Sequence, residues 1–399
     1  MRIFTMNKSF GISVMSLAFT VSLSANETQG IDIGNYWKAL GDIRVGYVHY
    51  DYNNPPPGSA TINKGHTDSH GFYTTPKVSI LSPKYNNFSA KATVGGATDF
   101  GLNDPAYESR NFVFDSAQRK PFILLQELFI SYVDKSHNLS IGRQEIVTPL
   151  IEADDYYMLA NSFEVANYTN SVIDDIKFHF GYFHKMAGVW DSGANGTEFH
   201  SMSDTSYVDT RDKANANDSG GIVYGAVEYK NKSHNFKVWE YYATDLYNIL
   251  LGQYDYSSDI NSFSYELGVQ LVNYKEVGKL ETSNFTNIDY TIYSAKFDGK
   301  FSNGINFATG ATKYSDGSGQ SATLGAWGGF PSHTYGFAES YFGMGSLQNA
   351  SIYKVQVGFD LEKVGLKNSW IGYRHVHYDL DPKYSKTATS ASQDYMFLN

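Results

Sequence analysis

Residues 88–95 read FSAKATVG, and residues 353–360 read YKVQVGFD. Side chains alternate between the two faces of an extended chain, so Phe88, Ala90, Ala92 and Val94 share one face and Ser89, Lys91, Thr93 and Gly95 the other. Tyr353, Val355, Val357 and Phe359 alternate in the same way with Lys354, Gln356, Gly358 and Asp360. Strands of this kind need something apolar against one side and water against the other. A secreted soluble β-sandwich meets that need with a second covering layer, and its outer strand faces would have to be polar throughout. A barrel closed in a membrane meets it with lipid outside and a wet lumen inside. The expected fold is all-β, a transmembrane antiparallel β-barrel.

Further alternating runs stand at residues 43–50, 72–82, 122–133, 139–143, 176–186, 222–230, 236–243, 246–257, 263–274, 290–298, 305–314 and 370–378, with a last one near Tyr395. At about 20 residues for one ~10-residue strand and its share of turns, the length calls for about 18 strands, within 16–18. A few strands are therefore expected in segments whose pattern is not legible. Short connections rich in Asn, Gly, Ser and Pro, at 82–87, 134–138, 231–235, 258–262 and 299–304, alternate with long polar ones at 51–71, 191–221, 277–289, 315–340 and 379–390. Short turns on one side of the membrane and long loops on the other are the barrel asymmetry. With 32 Tyr and 26 Phe, the chain also has the aromatic rings to build girdles at two membrane interfaces.

Arg2 and Lys8 precede an apolar run over residues 12–23, and Ser22, Ser24 and Ala25 follow as small residues. This reads as an export signal over residues 1–25, leaving 26–399 as a single barrel domain. The apolar run is shorter than the ~20 residues of a spanning helix. There is no cysteine, so neither a lipid anchor nor a disulfide framework is available. The formal charge of −10 argues against nucleic acid as a partner. The last strand looks incomplete, because the run from Asp394 to Asn399 falls short of the ~10 residues a spanning strand needs. Either it begins as early as Thr387 or the chain is truncated, and truncation, with poor closure against the strand at 43–50, is the expectation.

Residues 142–170, GRQEIVTPLIEADDYYMLANSFEVANYTN, break the period of two and read as a loop. Gly142–Arg143–Gln144, Thr148–Pro149 and the aspartates before Tyr156, Met158 and Phe163 resemble the third-loop region of the OprD-like outer-membrane porins. So do the WGGFP run at 327–331, leading through Tyr341 and Phe342 to the strand at Ile352, and Gly372–Tyr373–Arg374. The resemblance implies that this loop folds inward and narrows the pore, with the work carried between Glu145 and Tyr168. It also implies a row of channel arginines, from which this chain departs.

Between Gln144 and Ile176 stand Glu145, Glu152, Asp154, Asp155, Glu164, Asp174 and Asp175, with no Lys or Arg. In a narrow throat such acids would attract cations; outside it they would simply be solvated. The expected constriction is Glu145, Glu152, Asp154, Asp155, Tyr156 and Glu164. Charged residues on a lipid face cost ~2–4 kcal/mol at mid-depth, so charges within alternating strands should face the lumen. That reading gives Arg44, Lys91, Arg143, Lys177, His179, Gln270, Lys296, Lys354, Gln356 and Arg374 as pore lining. Whether they face the loop acids across the pore or pair with neighbouring strands is left open.

Enzyme readings are weak. His66, Asp68, Ser69 and His70 sit in a Pro- and Gly-rich loop with no converging triad, and DSGANG at 191–196 lacks the ligand spacing and distal Glu of a calcium loop. The sequence thus implies a Gram-negative outer-membrane porin, a passive channel for small polar solutes or ions with a cation preference, and no cofactor or metal. The rival is a barrel acting as an adhesin through its long loops. Expected partners are outer-membrane lipids and lipopolysaccharide, small polar solutes and the barrel-assembly machinery; monomer and homo-oligomer both stay open.

Overall fold

The structure is a computed structural model that describes residues 2–5, 14–24, 31–32, 37–52, 68–104, 120–153, 158–188, 198–202, 220–279, 281, 288–317, 347–385 and 389–398. Its strands are β1 (Arg2–Thr5), β2 (Val14–Ser24), β3 (Ile31–Asp32), β4 (Lys38–Tyr52), β5 (Asp68–Leu81), β6 (Phe88–Ala97) and β7 (Phe122–Val133). Next come β8 (His137–Gln144), β9 (Ser162–Asn170), β10 (Ile176–Ala187), β11 (His200–Ser201), β12 (Ile222–Lys230), β13 (His234–Ala243) and β14 (Tyr247–Ile260). The last are β15 (Phe263–Glu276), β16 (Asp289–Phe301), β17 (Ile305–Tyr314), β18 (Ser351–Asp360), β19 (Trp370–Asp379) and β20 (Ser390–Leu398). Among the described residues the helical element is a single 3-10 turn at Leu361–Val364.

All strands belong to one antiparallel sheet. From β4 to β20 neighbours in sequence are neighbours in the sheet, with β11 lying alongside β10 beyond the end of β12. β20 pairs with β1, β1 with β2 and β2 with β4, so the pairings return to their start and eighteen strands form a ring. A ring leaves no strand edge to satisfy in lipid. β4 and β20 do not meet; the segment read as an export signal stands between them. The run VMSLAFTVSLS of β2 sets Met15, Leu17, Phe19, Val21 and Leu23 against Ser16, Ala18, Thr20, Ser22 and Ser24, so an apolar run also has the period of a strand.

The register puts apolar residues outside. Val78 and Ile80, Ile123 and Leu125, Val269 and Leu271, and Val355 and Val357 are all exposed on one phase of their strands. At the short-turn end Phe263, Phe297, Phe301 and Phe307 form a ring cluster, with Phe263 and Phe301 centred 4.8 Å apart. Tyr182, Tyr242, Tyr293 and Tyr353 stand exposed toward the long-loop end. These are the two aromatic girdles of a membrane barrel.

One expectation fails. Ser162–Asn170, read as part of the inward loop, is strand β9, paired with β8 and β10 along its length. Its inner residues Phe163 and Val165 are apolar and fully buried, which conceals the apolar-out pattern.

Candidate functional site: the lumen constriction

The inward loop begins where β8 ends. Gly142 takes φ +132°, and a Cβ there would lie 2.2 Å from the Leu128 carbonyl oxygen, so glycine is required at this step. The chain then forms a small hairpin: Ala153 N–H donates to the Ile146 carbonyl (2.8 Å) and Thr148 N–H to that of Ile151 (2.8 Å), with Pro149 and Leu150 at the turn. Leu150 and Ile151, at its tip, have no exposed surface. The returning chain is held on the opposite wall, where the Met158 carbonyl accepts from Thr75 Oγ1 (3.1 Å) and that of Ala160 from Gln126 Nε2 (2.9 Å).

The two sides of the lumen differ in chemistry. Inner positions from β9 to β19 are mostly apolar in the half nearer the long loops, with Thr312 and Lys354 as buried exceptions. Leu150 and Ile151 join Phe163, Phe183, Tyr224, Trp239, Tyr241, Ile249, Tyr274, Tyr290, Ile352 and Tyr378 in one buried cluster, which also takes in Leu347 and Ala350. The rings are layered, with Trp239 and Tyr241 centred 5.9 Å apart and Tyr274 and Tyr290 4.7 Å apart. This side is filled. The inner faces of β4 to β8 are mostly polar, with buried Thr75, Ser79, Thr93, Gln126, Glu127, Ser140 and Gln144 beside the apolar Tyr73 and Leu124.

That polar wall carries linked charges. Lys91 Nζ lies 2.7 Å from Glu127 Oε2, which also accepts from Thr93 Oγ1 (2.6 Å). Glu145 Oε1 accepts from Lys77 Nζ (2.9 Å) and Gln126 Nε2 (3.0 Å), and Arg44 Nε lies 3.8 Å from Asp42 Oδ1. Lys77, Asp42, Gln126 and Glu127 were not among the sequence candidates. The alternation of Thr75, Lys77 and Ser79 with Pro76, Val78 and Ile80 would have found Lys77, but Glu127 lies beside the bulge where β6 and β7 shift register.

Of the expected lining residues, Arg44, Lys91, Lys177, His179, Gln270, Lys296, Lys354, Gln356 and Arg374 all lie on the inner phase of their strands. Several pair with neighbours on the wall. Lys296 Nζ bonds to Glu266 and to Asp298 (3.0 Å), Arg374 Nε donates to Gln356 Oε1 (2.9 Å), and Gln270 Nε2 donates to Gln253 Oε1 (3.0 Å). His179 stacks on Trp239 and lies 3.7 Å from Glu228 Oε2.

Arg143 and Glu164 are corrections, one expected in the lining and the other in the constriction. Arg143 stands opposite Leu128 and Glu164 opposite Arg143, on the phase of exposed Ile130 and Ile141, so both face outward. Arg143 Nε and Nη2 both donate to Glu164 Oε1 (3.1 and 3.0 Å), and the Phe199 ring covers the guanidinium at 4.1 Å. Pairing at the strand ends, away from mid-depth, makes outward charge tolerable. Glu145 and Glu152 lie in the inward segment; Asp154, Asp155, Tyr156 and the run at 327–331 lie outside the described residues. Among the described residues no three His, Asp or Glu side chains are grouped to hold a metal ion.

A ring of strands apolar on the outside, with two aromatic girdles and a loop folded into the lumen, is the architecture of a membrane β-barrel of the porin type. Residues 135–328 match the family model described as outer membrane porin, OprD family. The fold is similar to that of Pseudomonas aeruginosa OccK9 (OpdG), at TM-score 0.69 and 12% identity over 90% of this chain and 96% of that one. Acinetobacter baumannii OccAB4 gives TM-score 0.66 and 13% identity over 94% and 98%, and a BenF-like porin from Pseudomonas fluorescens Pf-5 gives 0.65 and 12% over 91% and 98%. None of the curated proteins matches the sequence. The chain has the fold of these porins, and its middle, residues 135–328, is similar in sequence to the OprD porin family.

Proposed function

We propose that the chain is a passive channel for small polar solutes and ions, cation-preferring, whose path runs between the inward hairpin and the β4–β8 wall. The observation that carries this is the buried tip at Leu150 and Ile151: the hairpin fills the aromatic side and leaves the charged side to line the passage. There Lys77, Lys91 and Arg44 are each matched by an acid, so the bases offer anions little unbalanced charge. The further loop acids Glu152, Asp154 and Asp155 then bias the throat toward cations. Export by the segment 1–25 and insertion by the assembly machinery complete the reading; removal of that segment takes β1 and β2 out of the ring and leaves β4 and β20 as the strands that must close it.

Planar-bilayer recordings in a salt gradient test it. Asp154→Asn with Asp155→Asn should move the reversal potential toward neutral or anion preference. An unchanged potential in a conducting barrel would place those acids outside the throat and end the cation reading.

A further inference from the structure

Toward the long-loop end the outward girdle is built from tyrosines, among them Tyr182, Tyr242, Tyr293 and Tyr353. β19 departs from this: its register sets His377 beside Tyr353, so a histidine stands at girdle height on the outer wall. Ser392 of β20 pairs with His377, and Asp379, two residues further along β19, shares the same face. The three side chains are in line. His377 Nε2 donates to Asp379 Oδ1 (3.0 Å), which leaves the Nδ1 lone pair to accept from Ser392 Oγ (2.8 Å). The His377 and Asp379 side chains are 39% and 57% exposed and Ser392 is half-buried, so the trio is open to a molecule lying against the wall. One pair deeper, His375 Nδ1 donates to Asp394 Oδ1 (2.8 Å), which also accepts from the Tyr373 hydroxyl; that set is closed on itself and holds no serine. Both strands lie outside the export segment, so its removal leaves the trio in place.

A hydroxyl, an imidazole and a carboxylate hydrogen-bonded in this order are nucleophile, base and orienting group for acyl transfer. Either imidazole nitrogen can take the proton once the other is held by the carboxylate. Height then selects the substrate. An aromatic girdle lies at headgroup level, where lipid esters join acyl chains to polar groups and water is at hand. Deeper on the same wall Val355, Val357 and Met396 are exposed and offer apolar surface to an acyl chain. We propose that Ser392, His377 and Asp379 form a hydrolytic site for the acyl esters of membrane lipids, on the outer wall and separate from the lumen. The proposal rests on the barrel reading. Ser392 Oγ attacks the ester carbonyl carbon as its proton passes to His377 Nδ1; the bond from that carbon to the alcohol oxygen breaks, and the departing lysolipid takes the proton. Water then adds to the acyl-serine and gives a proton to His377, which returns it to Ser392 Oγ as the fatty acid leaves. No local motif marks this trio, because its serine and histidine stand 15 residues apart and meet only through strand register.

The test uses the purified barrel reconstituted in phosphatidylethanolamine vesicles, with fatty-acid release and covalent capture by an alkyl fluorophosphonate as readouts. The parent should release fatty acid and take the label on Ser392. Ser392→Ala should lose both, and His377→Gln should cut release by about 10²–10⁴-fold, while the unboiled band of each still migrates fast. Asp379 is a positioning residue acting through His377, so Asp379→Asn should lower kcat with KM unchanged, and Asp379→Glu should recover most of the rate. In heat-modifiable protein, release no faster than from protein-free vesicles, or undiminished in Ser392→Ala, would overturn the site while leaving the barrel standing. Cleavage of a soluble short-chain ester without cleavage of vesicle lipid would overturn the lipid assignment. Loss of heat-modifiability in the parent would instead overturn the barrel, and the site with it.

Discussion

The two sides of the lumen are narrowed by different physics. From β9 to β19 the inner face is closed by apolar packing, with the hairpin tip at Leu150 and Ile151 set among tyrosines, Trp239 and two phenylalanines. From β4 to β8 it is ordered by ion pairs and hydrogen bonds: Lys91 to Glu127, Lys77 to Glu145, Gln126 to Glu145 and to the Ala160 carbonyl. Apolar packing is indifferent to salt, whereas partly exposed ion pairs weaken as the Debye length shrinks to ~3 Å at 1 M. One wall is therefore expected to be fixed across salt conditions and the other tuned by them. In the proposed channel the first wall would keep the bore and the second would set the selectivity.

The most damaging change is a charge at the hairpin tip. Truncating a buried leucine costs about 2–5 kcal/mol, and an unpaired carboxylate in the same place costs more, so Leu150→Asp should undock the hairpin. Single-channel conductance should rise several-fold, while the unboiled band keeps its fast migration because the ring of strands is untouched. Conductance at the parent level would mean the hairpin does not narrow the pore, and the contrast between the walls would lose its basis.

A smaller effect is expected on the charged wall. The Glu127 side chain is 3% exposed and Lys91 25%, so Lys91→Met strands a buried carboxylate beside a half-wet site. Breaking a fully buried pair costs about 3–5 kcal/mol; solvent near Lys91 brings the expectation to about 2 kcal/mol. Glu127→Gln should cost less, since an amide can still accept from Thr93 Oγ1. The temperature at which the folded band converts to the unfolded one measures both. A loss larger for Glu127→Gln than for Lys91→Met would contradict this ordering.

The same contrast explains what the sequence could and could not tell. Strands such as Phe88–Ala97 and Ser351–Asp360 face lipid on one side and water on the other, so their alternation was readable from composition alone. β9 was missed because its inner residues Phe163 and Val165 meet the hairpin rather than water. Where the lumen is filled, inside and outside are both apolar and period two disappears. Arg143 and Glu164 were misplaced for a complementary reason. The cost that drives charges inward applies at mid-depth, and these two pair with one another where the strands end. The partners of Lys77 and Lys91 join segments 68 and 36 residues apart, a distance over which no local pattern carries information.

The smallest effect lies at the mouth of the filled side. Leu347 and Ala350 belong to the buried cluster, and between them Asn349 Nδ2 donates to Asp381 Oδ2 (2.7 Å) in the loop after β19. This bond from Asn349, together with the Lys383 backbone N–H, holds the Asp381 carboxyl below the usual carboxylate range. The sign follows from that depression. The stabilisation is complete above the ordinary aspartate value near ~4, and it fades as pH falls through the lower value in the folded loop. Asp381 is partly exposed at the surface, so the tie is weak and the cluster beneath it should survive its loss. Limited proteolysis should therefore show loop cleavage rising only as the carboxyl becomes protonated, with the barrel band intact, and Asp381→Asn should cleave at neutral pH as the parent does in acid. If acid instead raised conductance as much as Leu150→Asp, the mouth and the hairpin would form one cooperative unit, and the filled wall would owe its closure to polar contacts as well as to packing.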